Sequence, residues 1–204
     1  MVGHLCERKR EPGRRTPLTH CRRWCAQSVG MTPSTTFTAL AADSLPYPHG
    51  LGKSGPPQLE RLERGMRQLL RAQFNDVATN REWFWHPEYQ CLIQQYLSDY
   101  FNAKGDIVDI ATAALQWAQT SRHFGAPLEG AGLAERKFIE SLGPEPVGET
   151  AHIVREWTLS PPEVVVNADG SYACGDGRHR MSYLRACVQP DSPDFPVLVR
   201  LKRF

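Results

Sequence analysis

From Pro57 onward, apolar positions recur three and four residues apart, at Leu59, Leu62, Met66, Leu69, Leu70 and Val77. That spacing lines one face of an amphipathic helix. The opposite face carries Arg61, Arg64, Arg67 and Arg71. Such a row reads as a solvated surface more readily than as a set of phosphate contacts. A second helix is predicted over residues 87–103, with Leu92, Ile93, Tyr96, Leu97 and Tyr100 along one side. Trp83, Phe84 and Trp85 precede it. Their rings would suit stacking on bases, but aromatics joining two helices usually fill a core. A third helix is expected over residues 106–121, rich in Ala and containing Trp117. A fourth covers residues 133–142 and stops at Gly143 and Pro144.

Beyond residue 145 the period changes. Residues 150–157 fit a short helix or a strand equally well. "EVVV" at 163–166 is β-branched and reads as a strand, "NADG" as a hairpin turn, and "SYAC" as the returning strand. The loop "GDG" and a helix to about Cys187 follow, and "FPVLVRLKRF" closes the chain as a strand with a basic end. No internal repeat is present.

Composition changes the picture mainly at the N-terminus. The chain has 204 residues and a net charge of +2. Residues 1–30 hold Arg8, Lys9, Arg10, Arg14, Arg15, Arg22 and Arg23 against Glu7 and Glu11, so this segment carries +5 and the remainder −3. Any nucleic-acid surface on the globular part must therefore be local. The expected organisation is a disordered basic tail and Pro/Ser/Thr/Gly-rich linker over 1–56, a helical region over 57–145, and a small core with strands over 146–204. His4, Cys6, Cys21 and Cys25 could be zinc ligands, but the spacing is loose and the surroundings offer little to pack. Translation starting at Met31 is a further account of the tail.

The six cysteines do not form a secreted disulfide framework, and reduced thiols in a cytoplasm are the simpler reading. No apolar run reaches the length of a membrane span, and the basic N-terminus lacks the apolar stretch of a secretory signal.

The candidate chemistry lies in "GDGRHR", residues 175–180. Arg178, His179 and Arg180 stand where a helix begins, and the partial positive charge of a helix N-terminus makes cations there unfavourable. Unpaired first-turn N–H groups favour an anion, and Arg and His add forked and point donors. A bound polyphosphate would relieve the mutual repulsion. The competing account makes Asp176 the helix cap, paired with Arg180 for roughly 0.5 kcal/mol, with the basic side chains in water. If chemistry occurs, Arg178 and Arg180 would stabilise developing negative charge. His179 would donate a proton or hold a phosphate oxygen. Asp176 is the nearest carboxylate for Mg²⁺, with Glu163 and Asp169 as further candidates, although Asp169 reads better as a turn residue. Cys174 reads as a buried strand residue.

The stretch "PPEVVVNADGSYACGDGRHRMSYLRACVQPDSPDFPVLVRL" resembles the core of the ParB/sulfiredoxin superfamily. The resemblance covers about residues 150–202 and centres on Gly177, Arg178, His179 and Arg180. It implies an α+β fold, a small mixed sheet with helices, in which the loop at Gly175, Gly177, Arg178, His179 and Arg180 grips the phosphates of ATP or another nucleotide. Sulfiredoxins place a catalytic cysteine directly before the His-Arg pair, and partition ParB proteins place Glu there; this chain has Arg178. The resemblance therefore implies neither a sulfinic-acid reductase nor a partition clamp. Among the branches of the superfamily, the chain resembles the small stand-alone plasmid proteins of the Osa type, fertility-inhibition factors associated with ATP hydrolysis and DNA cleavage. That branch implies a Mg²⁺-dependent ATPase and DNase, a cytoplasmic location, and DNA or a conjugation or secretion-system protein as partner. The alternative is a non-enzymatic module that uses the basic loop to grip a phosphate.

Overall fold

The computed structural model describes residues 33–101 and 105–204. The basic tail, with the zinc-ligand candidates His4, Cys6, Cys21 and Cys25, lies outside the described residues. The described residues form one compact α+β unit. In chain order the elements are β1 (Ser34–Ala41), α1 (Pro57–Leu70), α2 (Val77–Trp83), α3 (Pro87–Phe101), α4 (Ile107–Ala118), β2 (Pro127–Glu129), α5 (Ala131–Glu140), α6 (Ala151–Leu159), β3 (Glu163–Val166), β4 (Tyr172–Asp176), α7 (Arg178–Val188) and β5 (Pro196–Arg203).

The five strands form one mixed sheet in the order β2-β1-β5-β3-β4. β5 runs antiparallel to β1 and parallel to β3, so the last strand of the chain sits at the centre. Its side chains alternate between faces. Phe37 of β1 lies opposite Arg200 of β5 and stacks on Phe138 of α5 at 3.8 Å between ring centres. Arg200 also reaches Glu135 of α5. α5 therefore covers this face. On the other face Val197 lines a small apolar cavity together with Ala111 and Ala114 of α4 and Met181 and Leu184 of α7.

The linker expected in the segment up to residue 56 is corrected by β1. "STTFTALA" looks like a Ser/Thr spacer, but Thr is β-branched and suits a pleated surface. Thr35, Thr36 and Phe37 are buried between β2 and β5. The boundary expected at 145/146 does not divide the sheet either, because β1 and β2 come from before it.

The first predicted helix buries Leu59, Leu62, Met66 and Leu70 as its spacing requires, each contributing roughly 1.5–3 kcal/mol. It ends at Leu70 rather than at Val77. Arg71 adopts φ 51°, a short 3₁₀ turn follows, and Asp76 caps α2 by accepting the Thr79 N–H at 2.7 Å. Val77 consequently lies exposed on the first turn of α2. Arg61, Arg64, Arg67 and Arg71 are exposed, and Arg67 pairs with Glu63 at 2.7 Å. Phe84 is fully buried and Trp85 is exposed, so the three aromatics do not form one stacking platform. The segment 150–157, which the sequence left open between helix and strand, is helical and belongs to α6.

Candidate functional site

The carboxyl end of β4 is shaped by an irregularity in its pairing with β3. Glu163 faces Asp176 while Val164 faces Cys174, so Gly175 is an extra residue, a β-bulge. The chain then turns through Gly177, which sits at φ 77° with Pro162 so close that a Cβ would lie 2.9 Å from its Cα. Only glycine tolerates that conformation and approach together. Gly177 is the N-cap of α7, with no side-chain cap. The expected capping by Asp176 is therefore corrected. Asp176 ends β4, and its Oδ1 accepts the Gly177 N–H at 2.7 Å.

Gly175, Asp176, Gly177, Arg178, His179 and Arg180 all line one cleft of about 400 Å³. Its other walls come from residues that the sequence did not mark as part of a site. His49 and Lys53 belong to the loop between β1 and α1, while Tyr100, Phe101, Glu156 and Trp157 come from α3 and α6. The one signal for the loop in the sequence was the run "HGLGKSG", with glycines at 50, 52 and 55 around Lys53.

The three basic residues at the start of α7 have different tasks. Arg180 Nη1 donates to the Ser160 carbonyl at 2.8 Å, and its guanidinium lies 5.1 Å above the Trp157 ring. No ion pair joins it to Asp176 among the described residues, so the expected pairing is not formed. Arg178 Nη2 donates to the Gly52 carbonyl at 2.9 Å, and Nη1 to His49 Nε2 at 3.2 Å. His179 Nε2 accepts the Gly52 N–H at 2.9 Å. Burial, reinforced by the Arg178 charge, pushes the His179 imidazole down to about 4. The ring is neutral at physiological pH, and Nε2 is an acceptor already in use. The expectation that His179 donates a proton is not met at that nitrogen.

The remaining candidates separate cleanly. Cys174 lines the cleft, but burial pushes its thiol up to about 11, so it holds no thiolate. Glu163 is paired with Arg200 at 2.9 Å and Lys202 at 2.7 Å. Asp169 accepts from the Ser171 N–H and hydroxyl in the β3–β4 turn. Neither faces the cleft. Among the described residues no three His, Cys, Asp or Glu side chains gather as metal ligands. Asp176 and Glu156 are the two carboxylates on the cleft wall.

No protein-family model, curated protein or solved structure matches this chain.

The half-buried, neutral His179 ring gives a pH prediction. Its folded-state pKa lies below the ordinary value near 6.5, so the unfolded chain takes up the proton first as pH falls. The stability tied to the neutral ring is complete above about pH 6.5 and is lost as pH falls towards 4. Arg178, Lys53 and Asp176 are the charged groups acting on it. Urea denaturation at pH 7 and pH 4.5 should show a shallower acid loss in His179→Gln than in the unmodified chain, by about 2 kcal/mol. Superimposable pH profiles would contradict the assignment.

Proposed function

We propose that this chain is a nucleotide-binding protein of the ParB/sulfiredoxin fold, with ATP as its first candidate ligand. The observation that carries the reading is the convergence of an uncapped helix N-terminus, Lys53 and Arg180 on one cleft of about 400 Å³. Helix N-terminal N–H groups and cations are what a polyphosphate requires. The volume is in the range of small-molecule sites, and Tyr100 and Trp157 provide ring surface beside the polar wall. Asp176 would hold the magnesium, whose contribution is to neutralise phosphate charge. ATP hydrolysis, DNA cleavage and inhibition of conjugative transfer are proposed on the resemblance in "GDGRHR".

The occupied Nε2 of His179 favours binding over catalysis, because it leaves the loop's one histidine no free basic nitrogen to accept a proton. A binding module that grips DNA or protein phosphate is therefore the second reading.

Calorimetry with ATP, CTP and GTP, with and without Mg²⁺, tests the first. Binding is expected in the unmodified chain and a loss of at least about tenfold in Arg180→Ala. Full affinity in that variant would remove Arg180 from the site. No nucleotide binding, with a DNA affinity that falls steeply as salt is added, would select the second reading. ATP turnover and plasmid nicking decide whether the activity extends beyond binding.

A further inference from the structure

Gly52 is held through both of its backbone polar groups. Its N–H goes to His179 and its carbonyl to Arg178, each at 2.9 Å. The loop glycine is buried, and it lies 127 residues before His179. Arg178 gives one contact from each terminal nitrogen to this loop, and its Nε is buried without a partner. His179 presents its acceptor nitrogen to the loop rather than to the cleft. Lys53, the next residue, differs from both. It is exposed and lines the cleft, and its side chain makes no hydrogen bond or ion pair among the described residues. A lysine on a flexible stem gains most from a phosphate when its backbone is already fixed, because less freedom is lost on binding.

We propose that Lys53 is a phosphate-binding residue of this cleft, and that Arg178 and His179 are positioning residues that act on it through Gly52. The proposal rests on the reading of the cleft as a nucleotide site. It reassigns two of the residues that the "GRHR" motif offers as phosphate ligands. Arg178 and the neutral His179 ring at the start of α7 hold a loop in place, and the loop delivers the ligand's cation from a distant part of the chain.

Two measurements on the full chain test it together. The first is hydrogen exchange at the Gly52 amide. The second is calorimetric affinity for ATP with Mg²⁺, in Lys53→Ala, His179→Ala, His179→Gln and the double variant Lys53→Ala/His179→Ala. Lys53→Ala should weaken ATP binding by about tenfold and leave the Gly52 amide protected. His179→Ala should expose the amide to faster exchange and weaken ATP binding to a similar degree. The double variant should lose little beyond either single one, since residues acting through one another are not additive. His179→Gln, whose side-chain oxygen can accept the same N–H, should restore part of both properties and covers the case in which the alanine variant unfolds.

Additive losses would make His179 a direct ligand and overturn the proposal. A Gly52 amide that stays protected in both His179 variants would overturn the latch while leaving the nucleotide reading standing. Absence of ATP, CTP and GTP binding in the unmodified chain would overturn that reading and the role of Lys53 with it. The exchange data would then still decide whether the latch exists.

Discussion

Arg185→Ala is expected to destabilise the protein by about 3 kcal/mol, which for a chain of this size lowers the thermal midpoint by roughly 6–12 °C. Arg185 is on α7 and is completely inaccessible to solvent. Its Nε donates to the Ala42 carbonyl at 3.3 Å, Nη1 to Pro46 at 3.4 Å, and Nη2 to Leu45. The guanidinium lies 4.0 Å from the centre of the Tyr47 ring and 5.4 Å from that of Phe84. Burial lowers its pKa to about 10, so the group stays charged at neutral pH.

Alanine would strand these carbonyls in the interior and leave a void between two rings. Lysine keeps the charge but cannot serve three carbonyls from one planar fork, so Arg185→Lys should fall between the two. Chemical denaturation with intact m-values measures both. A loss below about 1 kcal/mol for the alanine variant would mean that the loop after β1 does not depend on this residue. The same loop leads on to His49, Gly52 and Lys53, so Arg185 also sets where one wall of the cleft begins.

How much of this could be read from the sequence depended on how local the cause was. β3, β4, α7 and β5 followed from β-branched runs, a turn motif and a glycine loop, all set by neighbours in sequence. β1 was hidden because its Thr residues are buried only by strands that return more than 80 residues later. The end of α1 depended on Arg71, an arginine in a backbone region that favours glycine, and nothing in the helical period announces it.

The site divided in the same way. Residues 175–180 were found as a group and do line one cleft. What Arg178 and His179 touch was not legible, because their partner is a glycine backbone more than 120 residues away. Cations at a helix start suggested an external anion. The structure gives Arg178 and His179 internal partners in the peptide groups flanking Gly52: the guanidinium donates to the carbonyl and the neutral ring accepts the N–H.

Gly52→Ala should have the second large effect, and a matched control separates its causes. Gly52 adopts φ 124°, and a Cβ built there would lie 2.2 Å from the Glu63 Cβ, 2.5 Å from its Cα and 2.7 Å from its N. Those atoms belong to α1, which Leu62 and Met66 anchor in the core. The helix cannot retreat, so the loop must. Moving it breaks the hydrogen bonds to Arg178 and His179 and carries Lys53 away from the cleft. Gly55 has a similar φ of 114°, but nothing lies within 4 Å of its Cβ position. Gly55→Ala therefore carries the backbone strain alone, roughly 1–3 kcal/mol.

Gly52→Ala should cost at least as much. It alone should speed amide exchange across residues 49–55 and reduce ATP affinity at least as far as Lys53→Ala does. The chain should stay folded, since the hydrogen bonds that break hold the loop and not the sheet. Exchange in this segment that is equally slow in both variants would show that packing against α1 does not fix the loop. The close approach of Gly52 to Glu63 would then be a consequence of the grip by Arg178 and His179 rather than a partner to it.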